Sequence, residues 1–130
     1  QADFEKYKRR SKLDLDSMAK YGAEKLVLDL LPVLDAFDRA LKVNPTGDQV
    51  GYLEGFTMIR MQLLEALKKH RVEIIVSVGN LFDPNFHDAV MLQPVENMEE
   101  DGIIIQELQV GYILNGKVIR HAMVVVGKYN

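Results

Sequence analysis

The fold of this chain is decided by residues 111–126, which read GYILNGKVIRHAMVVV. Residues of high β-propensity flank the dipeptide Asn115-Gly116, which favours the positive φ angles of a two-residue type I′ hairpin turn. Gly111 and the Gly116-Lys117 pair also have the spacing of a phosphate-binding P-loop. A P-loop requires Ser or Thr after the lysine, and a helix after that. Val118 stands there instead, so the stretch predicts a β-hairpin and argues against a nucleotide-binding enzyme.

The rest of the C-terminal half predicts a small, mainly antiparallel β-domain over residues 72–130. β-prone runs occur at residues 72–76, 103–110 and 117–126. Residues 96–102 are polar and acidic, which is typical of a loop. Strands in close succession without an intervening helical pattern favour antiparallel pairing.

Residues 1–71 have the composition and period of helices instead. The pattern predicts one helix over about 1–43 and a second over about 49–70, joined by a turn at residues 44–47, which read NPTG. The first is rich in Lys, Glu, Leu, Ala and Arg, which favour helix formation, and the second has the apolar period of an amphipathic helix. The chain is therefore expected to be an α+β protein, divided into a helical part at 1–71 and a β-domain at 72–130.

Two residues interrupt the helical pattern. Pro32 removes one hydrogen bond, so a kink or break is expected near Leu28. Gly55 lowers helix propensity by about 1 kcal/mol. That cost suggests a close backbone approach to a neighbour, although a tolerated surface glycine is the alternative.

The first helix has a narrow apolar stripe that repeats every eleven residues. Phe4, Leu15 and Leu26 follow this spacing, and so do Tyr7 and Met18. Such a repeat gives about 3.67 residues per turn, which implies a nearly straight or slightly right-handed helix pair. A stripe this thin does not stabilise a lone helix in water. A paired stalk is predicted over the alternative, a solvated helix lying on its own domain.

From residue 26 the apolar face of the first helix broadens, and the second helix has a similar face. The two helices of one chain would therefore form a hairpin with one apolar side, which is half of a four-helix bundle. A second copy could complete a four-helix bundle through two-fold symmetry. A homodimer is predicted, and its interface is expected to include Phe4, Leu15, Met18, Leu26, Leu31, Leu34, Phe56 and Leu63.

Composition excludes several classes of function. The formal net charge is −3, which gives no electrostatic case for nucleic acid or an acidic membrane. No apolar run approaches the length of a membrane span. Cysteine is absent, which fits a reducing compartment such as a bacterial cytoplasm, or alternatively an organelle matrix. The chain opens with Gln1 inside a helical pattern, which indicates a piece of a longer protein.

No catalytic, metal or cofactor site is predicted. The serines lack a nucleophile-elbow context, and no two histidines have helical metal-ligand spacing. His87 next to Asp88 could suggest chemistry, but a hydrogen bond within the Asp83-Pro84 turn is the favoured interpretation. The basic run Lys8-Arg9-Arg10 is a weak nucleic-acid signal and a plausible partner contact, because guanidinium groups recognise carboxylates well.

Two long motifs together resemble the signature of the GrpE family, the nucleotide-exchange factors of DnaK-type chaperones. The first is FDPNFHDAV at residues 82–90, and the second is the stretch at 111–126. Residues 8–10, which read KRR, and residues 30–35, which read LLPVLD, are also similar to that family. The resemblance therefore covers nearly the whole chain.

The resemblance implies an elongated dimer with a helical stalk, a four-helix bundle and two β-domains. One β-domain would bind the nucleotide-binding domain of a DnaK-type chaperone and stabilise its open cleft, so that ADP leaves. The implied chaperone contacts are Phe82, Pro84, Leu108, Lys117 and Val126 in the β-domain and Arg9 and Arg10 on the stalk. Ordinary strand core is the alternative for Phe82, Leu108 and Val126. The alternative function is a dimeric coiled-coil adaptor whose β-domain binds another protein.

Overall fold

A computed structural model describes residues 2–42, 46–47 and 49–130. Its helical part comprises α1 (Ala2–Leu41) and α2 (Gln49–Lys69), close to the predicted bounds of 1–43 and 49–70. The predicted turn at 44–47 falls partly outside the described residues, which include neither Asn44 nor Pro45. Gly47 has a φ of +61°, as a turn requires. Neither helix combines the length and apolarity that a membrane span needs.

Charged residues near the helix ends are placed to oppose the helix dipole. Asp3 and Glu5 lie in the first turn of α1, and Lys68 and Lys69 lie in the last turn of α2. Acidic groups near the N-terminus and basic groups near the C-terminus each stabilise a helix by a few tenths of a kcal/mol to about 1 kcal/mol. After α2, Arg71 adopts the left-handed conformation with a φ of +65°, which ends the helix and leads the chain into the first strand.

The helix does not break at Pro32, because α1 continues through this residue to Leu41. The alternative form of the prediction, a kink near Leu28, stays a prediction. Leu31 and Leu34, on either side of the proline, are buried.

The suggestion that Gly55 marks a close approach finds no support within this chain. A Cβ added at Gly55 would have no described atom within 4 Å. The open space agrees with the alternative interpretation, a tolerated surface glycine.

The chain divides into two compact units, residues 1–34 and residues 35–130. The first unit is the larger part of α1, in which Val27, Leu31 and Leu34 are buried while the eleven-residue stripe is exposed. The second unit contains the last turns of α1, all of α2 and all strands. The division at 71/72 that the sequence suggests remains a prediction about folding units.

Within the part of the chain that the structure describes, six strands form two three-stranded sheets. The strands are β1 (Val72–Ile74), β2 (His87–Pro94), β3 (Ile104–Gln109), β4 (Tyr112–Leu114), β5 (Lys117–Arg120) and β6 (Ala122–Lys128). The sheet orders are β1-β4-β5 and β2-β6-β3. A short 3₁₀ helix, Met98–Glu100, lies within the predicted acidic loop. The α+β class is thereby confirmed.

Three of the strand pairings are antiparallel, and β2 pairs with β6 in parallel. Sequence reasoning missed β2, because it expected only a turn around His87. Nearly every residue of β2 is exposed, so its sequence lacks the alternation of a half-buried strand. The strand exists because β6 supplies a partner along its whole length.

The hairpin predicted at Asn115-Gly116 is confirmed. Their φ angles are +51° and +78°, and Leu114 pairs with Lys117 across the turn. The Asn115 amide also donates to the Arg71 carbonyl at 3.0 Å. A strand rather than a helix follows Lys117, as the hairpin interpretation required.

β6 lies at the centre of the second sheet and supplies most of its core. Ala122, Val124 and Val126 are buried together with Ile104 of β3, and Phe82 packs against this cluster. β-branched side chains in this alternation pack well on a pleated surface.

Gly111 lies where two backbones approach closely. A Cβ added there would lie 2.5 Å from the Ala122 nitrogen and 2.9 Å from the Arg120 oxygen. Backbone atoms cannot move aside as the end of a side chain can. Gly111→Ala is therefore expected to lower the free energy of unfolding by about 2 kcal/mol, measured by chemical denaturation.

Gly51→Ala is the matched control, because a Cβ on this helical glycine would have nothing within 4 Å. Its stability should be unchanged or slightly raised. Equal stability of the two variants would contradict the close approach at Gly111.

Candidate functional site: a partner-binding surface on the β-domain

The loop that precedes β2, residues 82–87, is closed by hydrogen bonds centred on Asp83. The Asp83 carbonyl accepts from the amides of Phe86 at 3.0 Å and His87 at 2.9 Å. The Asp83 carboxylate accepts from the Asn85 amide at 2.9 Å, which is an Asx turn around Pro84. The loop is tied to the fold at its start, where the Phe82 amide donates to the Gly102 carbonyl.

His87 completes this loop and confirms the structural role predicted for it. Its Nδ1 accepts a hydrogen bond from the Asp83 amide at 2.9 Å. The ring lies beside Phe82 and Phe86, with centroid separations of 5.9 and 6.3 Å. The residue is only 5% exposed, and its Nε2 is buried with no hydrogen-bond partner among the described residues.

The five predicted contact residues of the β-domain differ in accessibility. Pro84 and Lys117 are exposed, and Leu108 is 45% exposed. Phe82 is half-buried, and Val126 is only 5% exposed; these two lie together in the β6 core. Pro84, Leu108 and Lys117 are thus accessible to a partner, whereas Val126 is buried.

The contact surface spans both sheets. Leu108 lies on β3 of the sheet β2-β6-β3, and Lys117 begins β5 of the sheet β1-β4-β5. Outside the β-domain, Arg9 and Arg10 are exposed on α1 within the first unit. All these partner contacts remain predictions.

Arg120, which the sequence did not single out, organises the interior of the second unit. Its Nη1 and Nη2 donate to the two carboxylate oxygens of Asp35, each at 2.7 Å. Its Nε and Nη2 donate to the Val110 carbonyl at 3.0 and 2.6 Å. The guanidinium also lies 5.3 Å from the centroid of the Tyr112 ring. One side chain thereby joins the end of α1 to β4, β5 and the chain before β4.

The electrostatics of this cluster follow from the pairing. The hydrogen bond from Arg120 lowers the pKa of Asp35 below its ordinary value, and the same bond raises the pKa of Arg120. Burial raises the pKa of Tyr112 to about 12. All three groups therefore keep one protonation state at neutral pH. A bidentate pair of this kind fixes direction as well as distance.

A second ion pair supports the same region. Arg60 of α2 donates through Nε to the Asp38 carboxylate at 2.7 Å. Because Asp38 follows Asp35 by less than one helical turn, the last turns of α1 contact both α2 and the β-strands. The helix hairpin and the β-domain are thus packed as one unit from residue 35 onward.

An open cavity of about 420 Å³ lies beside these ion pairs and includes Leu108 in its wall. Its charged lining residues have both signs, so it does not select a ligand by a single charge. The lining consists of Asp35, Asp38, Arg39, Leu41, Lys42, Arg60, Glu107, Leu108, Gln109 and Val110.

Glu107 is the carboxylate in this region whose pKa is shifted upward. Desolvation is the main cause, and a hydrogen bond with Ser77 opposes it. A desolvated carboxylate could act as a general acid, but chemistry also needs a nucleophile or metal within reach. Over residues 2–42, 46–47 and 49–130, no group of three acidic, His or Cys side chains could hold a metal ion.

The Asp35–Arg120 pair generates a prediction about pH. Asp35→Ala should lower the free energy of unfolding by about 2 kcal/mol at pH 7, because charge-assisted hydrogen bonds are lost. Arg120 lowers the folded-state pKa of Asp35, so the Asp35 carboxylate contributes its full share of the folding stability at pH values above its ordinary pKa of 3.8. This stabilisation is lost as the pH falls through the lowered folded-state pKa of Asp35. Denaturation at pH 7 and again between pH 4 and pH 2 measures this change.

Asp29→Ala is the control, because Asp29 is an exposed acidic residue on the same helix. This substitution should change the free energy of unfolding little at any pH. A deficit for Asp35→Ala that stays constant down to pH 2 would contradict the assigned pairing.

Comparison with known proteins places this fold and surface in a family. The sequence model described as GrpE matches residues 1–128. Protein GrpE of Bacillus licheniformis is 49% identical over 129 residues, which are 98% of this chain and 66% of that protein. Protein GrpE of Bacillus subtilis is 49% identical with coverage of 98% and 68%, and that of Bacillus pumilus is 48% identical with coverage of 98% and 69%. The chain thus spans about two thirds of the length of these relatives, and it belongs to the GrpE family.

Proposed function

We propose that this chain is a co-chaperone that promotes ADP release from a DnaK-type chaperone. The observation that carries the proposal is family membership over residues 1–128. The exposed residues Pro84, Leu108 and Lys117 on one β-domain support it, because they offer a partner both apolar contact and a positive charge. The proposed partner surface is the nucleotide-binding domain of the chaperone.

The proposed mechanism is a shift of population without covalent chemistry. The β-domain binds the chaperone more tightly when its nucleotide cleft is open, so binding raises the open fraction and ADP leaves. Moving an equilibrium from 1:99 to 99:1 requires about a 10⁴-fold difference in affinity between the two states. A rigid β-domain suits this role, because a surface that adapted to both states would not discriminate between them.

We infer that the working form is a homodimer with a paired-helix stalk and a four-helix bundle. The exposed apolar side chains on the helices support this, since a lone helix with such side chains in water is poorly stabilised. On α1 they include Phe4, Leu15, Met18 and Leu26, and on α2 they include Tyr52, Phe56, Met58, Ile59 and Met61. Leu63 is half-buried, and Leu31 and Leu34 are buried within the chain itself, so a second copy would first meet the exposed members.

Light scattering at micromolar concentration tests the dimer and should give twice the chain mass. Phe56→Asp should shift the protein toward the monomer, because it places a charge in the proposed apolar interface. Glu54→Asp, on the same helix, is the control and should leave the mass unchanged. A monomer mass for the unaltered chain would contradict the dimer.

We further propose that the protein acts in a bacterial cytoplasm. The named relatives come from Bacillus species, and the sequence contains no cysteine, as suits a reducing compartment.

The direct test of function is the release of a fluorescent ADP from a DnaK-type chaperone, followed by stopped flow with and without this chain. Acceleration supports exchange activity. An unchanged release rate together with tight chaperone binding would instead favour the alternative function, a dimeric adaptor.

Lys117→Glu tests the proposed surface. Lys117 is exposed at the tip of the β4–β5 hairpin, so the replacement should change stability by no more than about 0.5 kcal/mol. Reversal of a charge at an interface can cost several kcal/mol. At sub-saturating concentration, the acceleration of ADP release should therefore fall by about tenfold or more while the melting temperature holds.

Lys128→Glu is the matched control, because Lys128 is an exposed lysine at the end of β6 outside the proposed contact. It should keep full activity. If Lys117→Glu accelerates release as well as the unaltered chain does, Lys117 is not part of the contact surface.

A further inference from the structure

We propose that His87 is a positioning residue for chaperone binding: its Nδ1 holds the Asp83 amide and thereby helps to fix the 82–87 loop, which presents Pro84 and packs Phe82 against the core. This inference rests on the proposed exchange function. The atom that matters is the His87 Nδ1, which accepts the hydrogen bond from the Asp83 amide.

The hydrogen bonds determine the tautomer of His87. A backbone amide is always a donor, so the Nδ1 that lies 2.9 Å from the Asp83 nitrogen must present a lone pair. A neutral imidazole carries its proton on the other nitrogen, so Nε2 carries it here. A ring protonated on both nitrogens would turn a second N–H toward the Asp83 amide, and the bond would be lost.

Asp83 and His87 form a closed ring of two hydrogen bonds. The Asp83 amide donates to the His87 ring, and the His87 amide donates back to the Asp83 carbonyl at 2.9 Å. Asp83 stands directly between Phe82 and Pro84, and Pro84 has no amide of its own. The bond to His87 is therefore the one that holds the Asp83 amide itself, between the two predicted contact residues, while the other bonds of the loop hold the Asp83 carbonyl and carboxylate.

The other end of this tie is anchored in the core. His87 begins β2 and pairs with Ala122 of β6, and the Ala122 amide donates to the Phe86 carbonyl at 3.0 Å. Ala122 is completely buried. The imidazole thus connects the 82–87 loop to the central strand β6. Because the ring is rigid, it holds the loop at a fixed distance from that strand, whereas a flexible side chain would not.

The distal nitrogen makes no hydrogen bond within the described residues. Its N–H is buried without a partner among the described residues, and an unsatisfied buried donor costs about 1–3 kcal/mol. The nearby acidic side chain, Glu107, forms its hydrogen bond with Ser77 instead. Such local costs concentrate at functional sites, where geometry matters more than stability.

Two variants separate the acceptor atom from the rest of the ring. In His87→Asn, the side-chain oxygen stands where Nδ1 stood and can accept from the Asp83 amide. In His87→Gln, the polar end reaches the position of Nε2, and no acceptor remains at Nδ1. Both variants lose the aromatic contacts with Phe82 and Phe86, so their difference reports the acceptor alone.

The test measures hydrogen exchange of the Asp83 amide by NMR, and stopped-flow ADP release at sub-saturating concentration. We expect His87→Asn to keep a protected Asp83 amide and activity within about threefold of the unaltered chain. We expect His87→Gln to lose that protection and to lose activity by about tenfold or more, with unchanged exchange rates for the β6 amides.

Equal activity of the Gln and Asn variants would overturn the positioning role. A chain that fails to accelerate ADP release before any substitution would overturn the exchange function instead, so the two failures are distinct. If the Gln variant does not fold, the ring nitrogens of the unaltered protein still decide the matter. Their ¹⁵N shifts must show an unprotonated Nδ1 and a protonated Nε2, and the opposite tautomer would overturn the inference.

Discussion

The second unit depends on one guanidinium group. Arg120 reaches from β5 to the Asp35 carboxylate and the Val110 carbonyl, and it lies near the Tyr112 ring. Because the group is planar and carries five donors in fixed directions, these partners determine one orientation of the β-strands relative to the last turns of α1. The same arginine ends the strand that begins at Lys117. The placement of the proposed contact hairpin is therefore linked to a buried network rather than to loop conformation.

The sequence predicted well those elements that depend on local chemistry. The Asn115-Gly116 turn follows from the preference of two residues for positive φ, and the helices follow from composition and period. It missed elements that depend on distant partners. Strand β2 exists through its pairing with β6, and Arg120 meets Asp35 at a separation of 85 residues. Pro32 illustrates the limit of local propensity, because it lies inside the continuous helix α1.

The candidate surface could be predicted in part. The resemblance of two motifs to the GrpE family selected the contact residues, and the family itself is confirmed. Accessibility could not be derived from the motifs, because a signature does not separate residues that touch a partner from residues that hold the surface in place. The structure makes that distinction: Pro84, Leu108 and Lys117 are exposed, while Val126 lies in the core. His87 is a clearer case, because the motif indicated a structural role and the hydrogen bond to Asp83 identifies it.

The proposed function is one of recognition, in which the β-domain discriminates between two states of a partner. Thermodynamic linkage then provides the most direct test, because ADP must weaken binding of this chain by the same factor by which the chain weakens binding of ADP. The measurement is calorimetric titration of this chain into the nucleotide-binding domain of a DnaK-type chaperone, first without nucleotide and then saturated with ADP. The account predicts markedly weaker binding in the presence of ADP, with a ratio of Kd values that matches the reciprocal experiment. Equal affinity with and without ADP would contradict it.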